Sequence, residues 1–447
     1  MKNIKLTFWI LMILLTGVWL LVGSFPPETI SFFSLRDGLV QYTGIMAIGA
    51  MSVAMILAAR PRPVEAPLHG LDKMYRLHKW LGIGALGLAV FHWLWSEAPK
   101  WAVGAGLLAR PERGPRPEIT DPIRAFLLSL RGTAEGLGEW SFYAIVILLV
   151  IALVTLIPYS IFRYSHRVVP VAYLVLVFHS VVLFDYDLWL TPLGPLLALL
   201  MIAGSYAALL SLFGLIGLGH RVTGKIAELR HYPGVHSLET VIKLSQGWSG
   251  HKAGQFAFAT SSKIEGAHPY TIASAWDPAD PQVTFISKEL GDHTTGLVDK
   301  LSIGQEVTVE GPYGCFTFDD GLSHQIWVGA GIGITPFIAR LKDLVAAAPD
   351  ASRPQIDLFH TTREVDDAAL ERLAKDAQAA NIRLHLLIDS RDGRLTGQRI
   401  RETVPEWANA SIWFCGPSRF GKTLRADFAA QGLPVESRFH QELFEMR

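Results

Sequence analysis

The chain has 447 residues, half of them hydrophobic, and its 40 Lys and Arg offset 40 Asp and Glu. That length allows about two to three domains, and the balanced charge with no basic stripe excludes a nucleic-acid partner. The two cysteines, Cys315 and Cys415, are too few for a thiolate-held iron–sulfur cluster or a Cys-rich zinc site, and no disulfide is expected in the reducing compartment where both are placed.

Residues 1–220 are apolar runs with short charged breaks, whereas 221–447 read as an ordinary soluble sequence. The first run, Leu6–Val22 behind Lys2 and Lys5, reads as a retained helix rather than a cleaved leader. It is as long as a bilayer requires, no small-x-small cleavage site stands out, and further spans follow. Six spans are predicted, at 6–25, 38–59, 74–96, 140–161, 166–184 and 192–217. Each is close to the ~20 residues that cross a hydrocarbon core with every backbone amide satisfied inside its own helix. Basic residues in alternate short loops (Lys2 and Lys5; Arg60, Arg62, Lys73 and Arg76; Arg163 and Arg167; Arg221 and Lys225) place both termini on the cytoplasmic side. The 97–139 loop then lies outside, its basic residues matched by acidic ones. Within it, Arg110–Pro117 reads as turn or polyproline and 122–130 as an amphipathic turn of helix on the outer surface.

Four of the fifteen histidines fall within or at the edge of spans: His78 and His92 in the third, His166 and His179 in the fifth. Ionisable groups at membrane depth are costly, so each calls for a partner. The 14-residue separation in the third span corresponds to about 21 Å of helix, and the 13 in the fifth to about 20 Å. The two spans run in the same direction, so His78 shares a level with His166, and His92 with His179. Two cross-helix pairs at two depths are what two bis-histidine haems need. The alternative is packed helix–helix histidines. Fourteen residues return to within about 40° of one helix face, but thirteen miss by about 140°. The pairing therefore needs a bulge or kink in the fifth span, for which Pro170 is the candidate, or haems approaching it from different sides. Arg76, Lys79, Arg163 and Arg167 lie near the inner level, as propionate partners or, preferably, as positive-inside charge.

From Gly224 the pattern becomes short alternating strands, as at Ser237–Lys243, Gln255–Thr260, Val283–Ser287 and Gln305–Val309, predicting a small antiparallel barrel over 221–321. Over 322–447 it becomes strand, glycine turn, helix. Gln325–Val328 precedes Gly329-Ala-Gly-Ile-Gly-Ile-Thr-Pro336, a helix follows from Phe337, and strands Gln355–His360, Arg383–Ile388 and Ser411–Phe414 alternate with helices. This predicts a doubly wound parallel sheet whose Gly329, Gly331 and Gly333 let backbone approach a pyrophosphate at a helix N-terminus.

His268-Pro-Tyr-Thr-Ile-Ala-Ser274 resembles the flavin-binding strand of the ferredoxin–NADP reductase superfamily, in the form found in NADPH oxidases and ferric reductases. Gly291-Asp-His-Thr-Thr-Gly-Leu297, Gly311-Pro-Tyr-Gly314, Gly329–Pro336 and Cys415-Gly-Pro417 follow in that family's order, and His440-Gln-Glu-Leu-Phe444 resembles the tail of flavohaemoglobin reductase domains. The six-span part resembles the ferric-reductase transmembrane domain by histidine spacing.

The resemblance implies that FAD is held by His268, Pro269, Tyr270, Thr271 and Ser274, with Thr271 near the reactive flavin nitrogen and His293, Thr294 and Thr295 in the following turn. Gly311, Tyr313 and Gly314 would lie near flavin and dinucleotide. Gly329, Gly331, Gly333, Thr335 and Pro336 would cradle the dinucleotide pyrophosphate. Cys415, with Gly416 and Pro417, would approach the nicotinamide, and Glu442 and Phe444 would shape the stacking site over the flavin. Ser390 and Arg391, with Arg363 and Arg394 as further candidates, would meet a 2′-phosphate, favouring NADPH with NADH possible. The expected activity is electron transfer from NAD(P)H through FAD and two b-type haems, ligated by His78, His92, His166 and His179, to oxygen or ferric iron on the outer face. The competing readings are haem-mediated supply to a periplasmic protein or quinone, and a membrane protein with a nucleotide-sensing domain.

Overall fold

The computed structural model describes residues 2–22, 27, 30–109, 119–154, 156–262, 265–291, 293–347 and 353–442. The chain divides into two compact units, one built mainly from residues up to Ile216 and the other from Gly217 onward.

The first unit is helical: α1 (Lys2–Val22), α2 (Phe32–Ala58), α3 (Leu71–Gly104), α4 (Pro122–Leu153), α5 (Tyr159–His166), α6 (Val169–Leu183) and α7 (Leu193–Leu212). Counting α5 and α6 as one broken span, six helical segments among the described residues are long and apolar enough to cross a membrane. Their outward faces carry Trp9, Ile13, Leu199 and Ile202, each more than half exposed. Their inward faces carry small residues such as Ala47, Ala50, Ala54, Ala207 and Ala208. Apolar surface outside and small residues at helix contacts is the pattern of a bundle solvated by lipid.

The largest boundary changes are in the third and fourth spans. The third span continues to Gly104, and the fourth starts at Pro122 instead of residue 140. At 34 and 32 residues these helices are about 51 and 48 Å long, well beyond the ~30 Å core. The stretch 122–130 is therefore the first part of a continuous helix, not a separate surface turn. Asp121 caps it, accepting from the amides of Ile123 and Arg124 at 2.8 and 3.0 Å, with Pro122 in the first turn. The fourth span ends at Leu153 instead of residue 161. Residues 110–117, read as turn or polyproline, lie outside the described residues.

The fifth span is broken between His166 and Val169. Proline has no amide to donate to the carbonyl four residues back, and its ring crowds that carbonyl. For Pro170 that carbonyl is His166's own, so the break follows the histidine directly.

The second unit holds two sheets. The first is antiparallel, from β1 (Arg221–Tyr232), β2 (Ser237–Leu244), β3 (Phe256–Thr260), β4 (His268–Thr271), β5 (Gln282–Lys288) and β6 (Glu306–Tyr313), in the order β4-β3-β6-β1-β2-β5. An Ile272–Phe285 bridge ties the two edges, closing it as a barrel around Val222, Ile226, Ile242, Ala257, Val283 and Val309. The second sheet is parallel, from β7 (His324–Ala330), β8 (Gln355–Thr362), β9 (Arg383–Ile388), β10 (Ser411–Cys415) and β11 (Phe439–Gln441), in the order β11-β10-β7-β8-β9. Helices α8 (Thr335–Ala346), α9 (Asp367–Ala379) and α10 (Ser418–Ala430) connect its strands. Its central strand, β7, is buried at every position, as expected for a parallel strand covered on both faces.

Candidate electron-transfer sites

In the membrane unit, α3 carries His78 and His92, α5 carries His166, and α6 carries His179. The imidazoles pair as the spacing predicts. The ring centres of His78 and His166 are 6.1 Å apart, those of His92 and His179 are 6.4 Å apart, and the planes cross at 77° and 80°. These rings are too far apart to touch face to face, and the spacing fits a metal between them. A first-row metal holds an imidazole nitrogen at about 2.0 Å, and that nitrogen is about 1.1 Å from the ring centre, so two axial imidazoles on one iron would have centres about 6.2 Å apart.

Hydrogen bonds select the nitrogen left for such a metal. His78 Nδ1 donates to Ala54 O at 2.8 Å, His92 Nδ1 to Val40 O at 3.0 Å, and His179 Nδ1 to Ala134 O at 2.8 Å. Thr43 Oγ1 stands 3.2 Å from His92 Nδ1. A carbonyl only accepts, so Nδ1 carries the proton in all three and Nε2 keeps its lone pair. His166 Nδ1 is buried with no hydrogen-bond partner among the described residues. All four histidines line one cavity of about 1350 Å³, larger than the roughly 300–1,000 Å³ of a site for one drug-sized ligand. The residues present therefore fit two axially held porphyrins.

Arg76, Lys79, Arg163 and Arg167 are not among that cavity's lining residues, which favours positive-inside charge over propionate contacts. Arg36, Lys100, Arg124 and Arg131 line it instead, and the sequence reading missed them. The Arg36 guanidinium donates to Asp37 Oδ1 at 2.7 Å and to Ser96 O at 3.3 Å, and its buried Nε has no partner among the described residues. That nitrogen fits an acidic group in the cavity.

In the second unit, β4 lays out His268-Pro269-Tyr270-Thr271 beside β3, with Thr271 opposite Phe256. His293 stands between two partners, its Nδ1 2.7 Å from Glu265 Oε2 and its Nε2 2.8 Å from the Tyr270 hydroxyl. Its ring stacks on His268 at 3.5 Å. Burial, then the Glu265 carboxylate, push the Tyr270 phenol above its ordinary range, so the hydroxyl keeps its proton. Thr294 Oγ1 accepts from the amides of Leu290 and Gly291, and Thr295 Oγ1 donates to Gly291 O at 3.0 Å, so both threonines shape the turn. Ser274 Oγ accepts from Thr284 N at 3.1 Å, which binds it into the barrel.

The glycine segments converge at the C-terminal ends of the parallel strands, where ligands bind in open α/β sheets. A Cβ on Gly333 would overlap the Cys415 carbonyl, and one on Gly416 (φ +156) would stand 2.7 Å from Ala330 Cβ, so the turns after β7 and β10 interlock. Gly331 (φ +57) gives the turn its left-handed residue. Helix α8 starts directly after it, with Pro336 in its first turn and Thr335 Oγ1 donating to Ile332 O at 2.8 Å. Gly329 O accepts from His360 Nδ1 at 3.1 Å, and burial lowers His360 to about 4, keeping the ring neutral. The sequence reading missed His360, whose role depends on β8 lying beside β7.

Cys415 and Glu442 are both buried. Burial, then Glu442, push the thiol well up, so it is a proton-bearing SH rather than a thiolate. A Cβ on Gly314 would stand 3.3 Å from Glu442 Oε1, so the Gly311-Pro312-Tyr313-Gly314 segment, Glu442 and Cys415 form one neighbourhood. Pro417 caps the start of α10. Of the three arginines proposed for a 2′-phosphate, two have carboxylate partners, Arg363 with Asp389 at 3.3 Å and Arg391 with Asp392 at 3.0 Å, while Arg394 and Ser390 are exposed. Phe444 lies outside the described residues.

Residues 43–177 match the family described as ferric reductase like transmembrane component, a range that includes His78, His92 and His166 and stops short of His179. Over 221 residues, 43% of this chain and 22% of that protein, the chain is 29% identical to respiratory burst oxidase homolog protein E of Arabidopsis thaliana. Over 144 residues, 29% of this chain and 20% of that protein, it is 31% identical to ferric reduction oxidase 4 of the same plant. The chain thus spans about a fifth of the length of either relative. Among solved structures, the Amycolatopsis cytochrome P450 reductase GcoB aligns with a TM-score of 0.43 and 22% identity, covering 50% of this chain and 69% of that one. Residues 43–177 are thus similar to a ferric reductase like transmembrane component, within a bundle in which six helical segments among the described residues are long and apolar enough to cross a membrane, and the second unit pairs an antiparallel barrel with a parallel α/β sheet. The relatives that the chain matches in part include a respiratory burst oxidase homolog and a ferric reduction oxidase.

Proposed function

We propose that the chain is an NAD(P)H oxidoreductase that moves electrons from the cytoplasmic face through FAD and two b-type haems to a one-electron acceptor, oxygen or ferric iron, on the far side of the membrane. The observation that carries this reading is the pair of histidine pairs at metal-bridging distance, three of the four rings with Nδ1 tied to a backbone carbonyl. Flavin would take hydride and release electrons singly, and the haems would divide a ~30 Å core too wide to leave bare between donor and acceptor.

The chain's own residues bind and orient. His78 with His166, and His92 with His179, would hold iron at two depths. Tyr270, kept protonated and fixed by His293, would meet the flavin beside Thr271. The glycine turn and the α8 N-terminus would receive the dinucleotide pyrophosphate, with His360 fixing the Gly329 carbonyl behind them. Cys415, held as a neutral thiol, would meet the nicotinamide without adding charge, with the buried Glu442 beside it. The basic loops on the side of both termini support a cytoplasmic reductase module.

A reduced-minus-oxidised spectrum of the purified chain should show b-type haem bands, with a haem-to-flavin ratio of about two. His92→Leu should cut reduction of an external acceptor by more than about 100-fold, since even partners outside the metal's own ligands are worth about 10- to 100-fold. NAD(P)H-driven reduction of a soluble dye should persist. Loss of both activities, or a preparation free of porphyrin, would leave only a membrane-tethered flavin reductase.

A further inference from the structure

The outer imidazole pair is seated on backbone, and each seat follows the same rule. His179 Nδ1 donates to Ala134 O, and four residues along α4 stands Gly138. His92 Nδ1 donates to Val40 O, and four residues along α2 stands Gly44. On a helix the Cα–Cβ bond tilts toward the N-terminus, so the side chain at i+4 overlies the carbonyl at i. That carbonyl already serves the helix ladder. Its flank is most open to a donor from another helix where i+4 has no side chain. A Cβ on Gly138 would clash with the His179 ring, overlapping Nδ1 and Cε1 and standing 2.7 Å from Cγ. A Cβ on Gly44 would stand 3.3 Å from His92 Cε1, a milder contact. The inner level is built differently. His78 Nδ1 donates to Ala54 O, where the residue four along is Ala58, and His166 Nδ1 has no partner among the described residues.

We propose that Gly138, with Gly44 opposite it, is a positioning residue of the outer metal site. The two glycines open the backbone seats that fix which nitrogen of His179 and His92 faces the iron. The inference rests on the haem reading above. It adds that the outer site, unlike the inner one, depends on glycines that touch neither iron nor substrate.

The test compares Gly138→Ala with Gly87→Ala in the full-length chain. Gly87 lies on α3 outside the cavity lining, and a Cβ there would meet nothing within 4 Å. Haem and flavin are quantified together, and low-spin iron is followed by electron paramagnetic resonance. Gly138→Ala should lower the haem-to-flavin ratio from about two to about one and remove one low-spin signal. Flavin content and NAD(P)H-to-dye reduction should hold, showing that the chain has folded. Gly87→Ala should match the parent. Gly44→Ala should keep both haems and shift one low-spin signal. Adding Gly138→Ala to His179→Leu should remove no further haem. The proposal fails if Gly138→Ala keeps two haems with parental signals, if Gly87→Ala loses as much, or if the double variant loses more. A parent without porphyrin would overturn the haem reading itself, which separates the two failures.

Discussion

His360 supports the glycine turn by one hydrogen bond, and its buried ring makes that support pH-dependent. Burial lowers it to about 4 from 6.5. Between those values the unfolded chain binds a proton that the folded chain refuses, so stability rises with pH across the window. The contribution is complete above the unfolded value and is lost as pH falls toward the folded one, to about 3 kcal/mol at most. Denaturant midpoints of the soluble half should therefore fall between about pH 7 and pH 5. His360→Asn, which keeps a donor without a titrating ring, should flatten that fall and leave the neutral-pH midpoint nearly unchanged. A slope identical to the parent's would remove His360 from this role. At this scale sequence reveals costly residues better than cheap ones. Four membrane histidines stand out because burying them in lipid demands a partner. Their seats do not stand out, because a backbone carbonyl such as Ala134 O has no letter of its own and Gly138 looks like any other membrane glycine. Arg36 was read only as loop charge because nothing local says that it faces a cavity.

The membrane elements follow from apolar run length, and the barrel and parallel sheet follow from their strand patterns. Where polar residues end a run without ending the helix, the boundaries do not follow. Helix α4 begins at the Asp121–Pro122 cap, a signal present in the sequence but overridden by the charges between 124 and 139. Strand β1 is less marked than its neighbours because one of its inward positions, Gly224, has no side chain to show the alternation. The break in the fifth span was legible, since thirteen residues leave two helical histidines about 140° apart and Pro170 offered the remedy. That reading makes a prediction. In Pro170→Ala the amide can again reach the His166 carbonyl, α5 and α6 can join, and His166 turns away from His78. The inner haem should be lost or loosened, with the outer low-spin signal and dye reduction retained. An unaltered haem content would show that the break is set by packing rather than by the proline.

Two compact units, each with its own core, give the molecule two separable stabilities. The second unit is filled by its own side chains, including Trp327, Phe337, Phe359, Phe414 and Phe428, all fully or nearly fully buried. The membrane unit instead surrounds a cavity of about 1350 Å³ lined by four imidazoles and several arginines. Polar walls that face each other without a ligand between them are poorly satisfied, so what fills the cavity should stabilise the bundle selectively. A ligand that binds only the folded state adds about 4 kcal/mol when present at a thousand times its dissociation constant. Chain prepared from haem-depleted cells should accordingly melt in two steps. Loss of helical circular dichroism, dominated by the bundle, should move to lower temperature, while release of flavin fluorescence from the second unit should stay where it is in the haem-replete protein. Adding haem back should restore the first transition without touching the second. If both transitions shifted together, the cavity would be coupled to the reductase core more tightly than two separate cores allow. If neither shifted, the imidazole pairs would be holding the bundle together without a metal.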